Sequence, residues 1–155
     1  MIVLGIDPGY ERLGIAILEK GNKPKVLYSD CFKTSKDDEH ANRLYQIQSK
    51  LEKIIKKYRP NRLGVESLFF TTNQKTAMKV SEARGVVLST AQKFNLDIKE
   101  LTPLQIKVAV TGYGKSDKKA MIKMVPKLVE MNKRNGILDD EYDAICAGLT
   151  ALAIR

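Results

Sequence analysis

Three short apolar runs come before the first helical period in this chain, and that order limits the folds open to it. Ile2 to Ile6 is apolar and stops at Asp7-Pro8-Gly9. Leu13 to Leu18 is a second run, containing Gly14, and Val26 to Phe32 is a third, reached through a turn at Gly21 to Pro24. From 38 to 58 the period changes: Leu44, Ile47, Leu51, Ile54, Ile55 and Tyr58 recur every third or fourth position among lysines and polar residues, which predicts an amphipathic helix stopped at Arg59-Pro60-Asn61. Leu63 to Glu66 predicts a fourth strand, 74 to 93 a helix and Leu96 to Leu101 a fifth strand. Pro103 opens a short helix that ends near Gly112-Tyr113-Gly114. Two more helices are expected, over 117 to 131 with a kink or break at Pro126 and over 140 to 153. Three consecutive strands followed by alternating helix and strand predict an α/β fold with a mixed five-stranded sheet flanked by helices. At 155 residues, with no linker or repeat, the chain is expected to form one domain over 1–155.

Lys and Arg number 27 against 18 Asp and Glu, a formal charge of +9. Such an excess points to a polyanionic partner, nucleic acid first and an anionic membrane surface second. No apolar run approaches the roughly 20 residues of a spanning helix, and the opening MIVLGIDPGY lacks the charged start of a signal peptide. A cytoplasmic protein without a membrane partner is expected. Cys31 and Cys146 stand far apart among apolar or small neighbours, which excludes a disulfide framework and a CxxC metal site and predicts two buried free thiols.

The acids are placed more tellingly. Asp7 follows its apolar run directly and Glu66 does the same, so both carboxylates fall at strand ends, where the ligand crevice of an open α/β sheet lies. Asp139, Asp140, Glu141 and Asp143 open the last helix, and Asp140 and Asp143, three apart, share a face. Singly, an Asp before Pro-Gly is a common turn residue and an acid at a helix start is a common cap. Together, four converging carboxylates repel one another unless cations lie between them, and oxygen donors of this kind suit Mg²⁺ or Mn²⁺. In a basic protein the use of such a cluster is two-metal phosphodiester hydrolysis. Gly112-Tyr113-Gly114-Lys115-Ser116 ends like a phosphate-binding loop, but Ala109 stands where its first glycine belongs, so that reading is rejected. His40 and the lysines at 50, 53, 56 and 57 read as solvated surface.

With these residues in view, the chain resembles the RuvC Holliday junction resolvases of the ribonuclease H-like superfamily. The resemblance runs from Gly5-Ile6-Asp7-Pro8-Gly9 through Val65-Glu66, Phe69, Ala83-Arg84-Gly85, Lys107 and Gly112-Tyr113-Gly114 to Asp140-Glu141-Tyr142-Asp143-Ala144. It implies a ribonuclease H-like fold and a homodimer that binds a four-way DNA junction and nicks two opposing strands symmetrically, with the branch-migration proteins RuvA and RuvB as partners. By the same resemblance Asp7, Glu66, Asp140 and Asp143 match the catalytic, Mg²⁺-holding carboxylates. Lys107 and Lys118 match basic groups beside the scissile phosphate, and the adjacent Lys119 is equally placed for the second role. Phe69 matches an aromatic at the junction centre, with Phe70 assigned to the core. Phosphate contacts from Lys75, Lys79 and Arg84 are added on charge, Arg84 being as well suited to a structural ion pair. The chain departs from the family at Glu141 and Tyr142, which replace small residues, and in its additional acid Asp139. Asp140 is chosen because a helix turn aligns it with Asp143.

The apolar and small residues Val80, Ala83, Val86, Val87, Leu88 and Ala91 cover more than one face of the 74–93 helix, as a dimer surface or a helix enclosed in its own core would require. Other functions weighed are an actin-like or sugar-kinase phosphotransferase, for which the chain is too short, a ribonuclease H-like nuclease acting on RNA, and a non-catalytic junction-binding module.

Overall fold

The computed structural model describes residues 1–67, 74–132 and 136–154, the residues at 74 and 75 by backbone alone. Among these lie five strands, β1 (Ile2–Asp7), β2 (Arg12–Glu19), β3 (Lys25–Lys33), β4 (Arg62–Glu66) and β5 (Asp97–Leu101), and five helices, α1 (His40–Tyr58), α2 (Gln74–Lys93), α3 (Pro103–Thr111), α4 (Lys118–Leu128) and α5 (Asp139–Ala153). The strands form one mixed sheet in the order β3-β2-β1-β4-β5. β1 to β3 make an antiparallel meander, while β4 and β5 join β1 in parallel. No described helix is long and apolar enough to cross a membrane.

Period-two alternation sorts the central strands into two cores. Leu4, Ile6, Leu13, Ile15, Ile17, Leu63 and Val65 face α1 and α2, where Ile47, Leu51, Ala83, Val87 and Ala91 cover them. Val3, Ala16, Leu18 and Leu101 face the other way, against Ile106, Val110, Met121, Val125, Ala144, Ala147 and Ala151 of α3, α4 and α5. Gly5, Gly14 and Gly64 share this second face, and α5 lies directly on them. A Cβ at Gly5 would stand 2.1 Å from the Ala144 carbonyl oxygen, and one at Gly14 would stand 2.0 Å from that of Asp140. Both gaps are far inside van der Waals contact, so the helix reaches the sheet only because these positions carry no side chain.

α4 ends at Leu128, short of the expected 131, and runs through Pro126 without a break. The proline sits in the last turn, where its missing N–H costs the helix a single bond. Beyond it Glu130 joins the sheet edge, accepting the Val26 N–H at 2.8 Å and donating to the Pro24 carbonyl at 2.8 Å. Pairing with that strand edge takes the chain out of the helix two residues after Leu128.

Candidate active site at the carboxyl edge of the sheet

Because β1 and β4 run parallel as neighbours, both end at the same edge, and alternation turns Asp7 and Glu66 to the α5 side together with Gly5 and Gly64. α5 starts over this edge. Its first turn carries Asp140, whose backbone rests on Gly14, and one turn later Asp143. Across the opening α3 and α4 bring basic groups: Lys118 Nζ lies 2.6 Å from Asp143 Oδ2 and 3.7 Å from Asp139 Oδ2. Glu66, Lys107, Ser116, Asp117, Lys118 and Asp143 line one cleft of about 280 Å³.

The four acids act on one another electrostatically. Burial, then the charges of Asp143, Glu66 and Asp140, push the Asp7 carboxyl up to about 7, against a smaller opposing pull from Lys118. Burial and Asp143 also raise Glu66, with Lys118 and Lys107 opposing. Asp143 is raised by burial despite its bond to Lys118. An acid that holds its proton to near neutrality beside other acids is the signature of a site short of positive charge. Hard oxygen donors with a deficit of this sign fit a divalent cation. Among the described residues no three His, Cys, Asp or Glu side chains stand together at ligand spacing, and the Lys118 ammonium supplies part of the missing charge.

Asp140 lies toward a second opening. It pairs with Arg12 at 3.3 Å and receives the Cys31 thiol at 3.7 Å. Arg12 belongs to the site yet was not singled out from the sequence. The hairpin register that pairs Asp7 with Gly14 puts the start of β2 beside the acids, and that register was the available signal. Cys31 is half-buried where full burial was expected, and burial with the Asp140 charge pushes its thiol up to about 11. Cys146 is buried as expected, its thiol pushed up to about 12. Neither is a nucleophile near neutral pH.

Glu141 is turned away from the cleft. Only 3% exposed, it accepts the Ser29 hydroxyl at 3.0 Å and closes on the Leu138 N–H at 3.4 Å, so it anchors α5 to β3. Asp139 is exposed, near Lys118.

Among the basic residues expected at DNA, Lys107 lines the cleft and Lys119 is exposed on the first turn of α4. Lys79 Nζ sits 5.1 Å from the Tyr10 ring centroid and lines a second cleft of about 640 Å³ with Arg12, His40, Glu82 and Asp140. Arg84 is committed within the fold, paired with Glu100 and donating from Nε to the Glu66 carbonyl at 3.2 Å. Phe69 and Phe70 lie outside the described residues, as does the side chain of Lys75. His40 is exposed, as expected, and from the surface it also bridges elements: Nδ1 meets the Tyr10 hydroxyl at 2.8 Å and Nε2 meets Glu82 of α2.

Residues 3–151 match the family described as crossover junction endodeoxyribonuclease RuvC. A protein of that name from Petrotoga mobilis is 44% identical over 146 residues, 94% of this chain and 89% of its own. The solved structure of T. thermophilus RuvC in complex with a Holliday junction substrate superposes with a TM-score of 0.91 at 30% identity, covering 99% of this chain and 94% of that one. The yeast mitochondrial Holliday junction resolvase Ydc2 shares the fold at 15% identity, with a TM-score of 0.68 over 96% of this chain and 75% of its own.

Proposed function

The chain belongs to the RuvC family of crossover junction endodeoxyribonucleases, and on that premise we propose that it resolves four-way DNA junctions by paired, symmetric, metal-dependent hydrolysis, acting as one nuclease domain over 1–155. The observation that carries this reading is that Asp7, Glu66 and Asp143, with Asp140 toward the neighbouring opening, lie near enough at one sheet edge to act on Asp7 electrostatically, in a protein of net charge +9 with Lys107 and Lys118 lining the cleft.

Asp7, Glu66, Asp140 and Asp143 would hold Mg²⁺, two ions per site, with Mn²⁺ as a substitute. When bound, the metal supplies Lewis acidity and lowers the pKa of water at the attacked phosphate. The protein's own residues do the rest. Asp7, whose carboxyl burial and the neighbouring acids push up to about 7, would be held as the carboxylate by a bound cation. Lys118 and Lys107 place ammonium groups beside the cleft, where they offset charge that develops on the phosphate oxygens. Lys79, which shares a cleft with Asp140, and the exposed Lys119 are assigned phosphate contacts, as is Lys75 on its charge, and the family resemblance assigns Phe69 to the DNA as well.

Two symmetric nicks need two sites, which a two-fold homodimer provides. Most of the apolar set of α2 serves the chain's own core, with Val86 and Leu88 packed against it, so any partner would meet the opposite side of the helix. Ala83, Val87 and Ala91 are buried against the chain's own core, while Met78, Ser81, Gly85 and Ser89 lie on an open face. The proposed setting is the cytoplasm, with RuvA and RuvB delivering the junction.

The test is a labelled four-way junction incubated with the protein with and without Mg²⁺, then run under denaturing conditions. Paired nicks at symmetric positions, dependent on Mg²⁺, support the reading. A metal-independent mobility shift without nicks, or cleavage of RNA in preference to the junction, overturns it.

A further inference from the structure

An exposed aromatic on a braced turn stands next to the cleft, and the carboxylate chemistry makes no use of it. α3 ends at Gly112, whose φ of 75° reverses the chain. Thr111 Oγ1 accepts the Tyr113 N–H at 3.1 Å and lies 2.8 Å from the Lys107 carbonyl and 2.6 Å from Ser116 Oγ, and the Ser116 N–H donates to the Tyr113 carbonyl at 3.2 Å. Gly114 lets this turn fold down onto α3, since a Cβ there would stand 2.4 Å from Leu104 Cδ1. Held in this frame, Tyr113 is 60% exposed, and Leu104 and Val108, one turn apart on α3, are 61% and 48% exposed. Half of the six large apolar residues exposed among the described ones gather on this single turn and helix face.

The surroundings state what the patch fits. Lys107, next to Val108, lines the cleft with Lys118, while Lys115 and Lys119 stand on the turn and the start of α4. Between 103 and 119 the one acid is Asp117, whose carboxylate is occupied by the Ala120 N–H at 2.8 Å as the cap of α4. A second copy of this face would bring like lysines together. A nucleic-acid strand brings phosphates to the lysines and apolar sugar and base faces to the patch. We infer that Leu104, Val108 and Tyr113 form a rest for the DNA strand entering the cleft, with the Tyr113 ring packed on the sugar and base beside the phosphate that Lys107 and Lys118 face. This rests on the nuclease reading above and adds to it a contact that senses the nucleotide next to the cleaved bond.

The test compares Tyr113→Ala, Tyr113→Phe and, as an exposed tyrosine on α1, Tyr45→Ala. Single-turnover cleavage is measured on a four-way junction in Mg²⁺, and binding is followed by fluorescence of 2-aminopurine placed beside the scissile phosphate. Tyr113→Ala is expected to weaken binding or slow cleavage about tenfold and to remove the fluorescence change, at unaltered melting temperature. Tyr113→Phe and Tyr45→Ala should match the parent. An active Tyr113→Ala, a Tyr113→Phe as impaired as the alanine variant, or an oligomeric state altered by Tyr113→Ala overturns this inference alone. A parent protein that neither binds nor cuts the junction overturns the nuclease reading and this inference with it.

Discussion

The ammonium of Lys118 sits 2.6 Å from the Asp143 carboxylate, tying the start of α4 to the second turn of α5 across the mouth of the acidic cleft. The pair joins the two roles that the cleft must combine, since Lys118 supplies positive charge and Asp143 is an acid held above its ordinary range by burial. Lys118→Ala is expected to slow single-turnover junction cleavage at least about tenfold while leaving the equilibrium dissociation constant within a few-fold. An unchanged cleavage rate would remove Lys118 from the reaction.

Asp7 makes the metal-free fold sensitive to pH. Its carboxyl rises from an ordinary 3.8 to about 7, so the folded state binds more protons than the unfolded chain between those values. Stability therefore falls as pH rises from about 4 through about 7 and then levels off, the total bounded by about 4 kcal/mol for a shift of this size. Thermal melts of metal-free protein should show the decline. Asp7→Asn should melt several degrees higher than the parent at pH 8, with the decline largely gone. It should also lose cleavage while keeping junction binding, and Mg²⁺ should no longer raise its melting temperature. A parent melting curve that is flat across this window would contradict the assignment.

The strands, the helices and the placement of Asp7 and Glu66 were legible because each depends on local pattern: an apolar run of period two, then an acid where the run stops. Helical spacing puts Asp140 and Asp143 on neighbouring turns of α5, but it could not tell that Asp143 lines the cleft with Glu66 while Asp140 lies toward the second opening. The ion pair between Arg12 and Asp140 was not legible either, since it depends on hairpin register and on the close seating of α5 over Gly14. His40 is exposed as its sequence setting implies, but its partners were hidden for a related reason. In sequence it heads a charged helix start, but the fold brings it against Tyr10, thirty residues earlier, and Glu82 on α2. The end of α4 was misjudged because a strand edge competes for the chain after Leu128.

Glu141 and Asp143 should separate stability from catalysis. Glu141 is buried with a hydroxyl bond to Ser29, so Glu141→Gln is expected to cost about 1–2 kcal/mol and lower the melting temperature by a few degrees. Below that transition it should cut junctions at near the parent rate. Asp143→Asn should melt normally or higher and not cut. If Glu141→Gln is as inactive as Asp143→Asn while fully folded, the helix face assigned to the site is wrong.

Salt dependence distinguishes basic residues facing DNA from those facing the protein. With a charge of +9, junction affinity should fall steeply as salt rises. Lys79→Ala and Lys119→Ala should each reduce the slope of log affinity against log salt by about 1. Arg84→Ala should leave that slope unchanged and lower the melting temperature, because its guanidinium is held by Glu100 and the Glu66 carbonyl. A reduced slope in Arg84→Ala would return that residue to the DNA surface.

Gly85 tests the dimer. It lies within α2 on the open face, and nothing stands within 4 Å of the position its Cβ would take. In an isolated chain Gly85→Ala should therefore stabilise the helix by about 0.5–1 kcal/mol. If two copies meet along this face, the missing side chain is what lets the helices approach, and the added methyl group pushes them apart. The variant is thus expected to raise the melting temperature at low protein concentration and to weaken self-association in sedimentation equilibrium. A dimer of unchanged strength would place the interface away from this face of α2, and a parent that stays monomeric even with junction DNA bound would remove the two-fold assembly altogether.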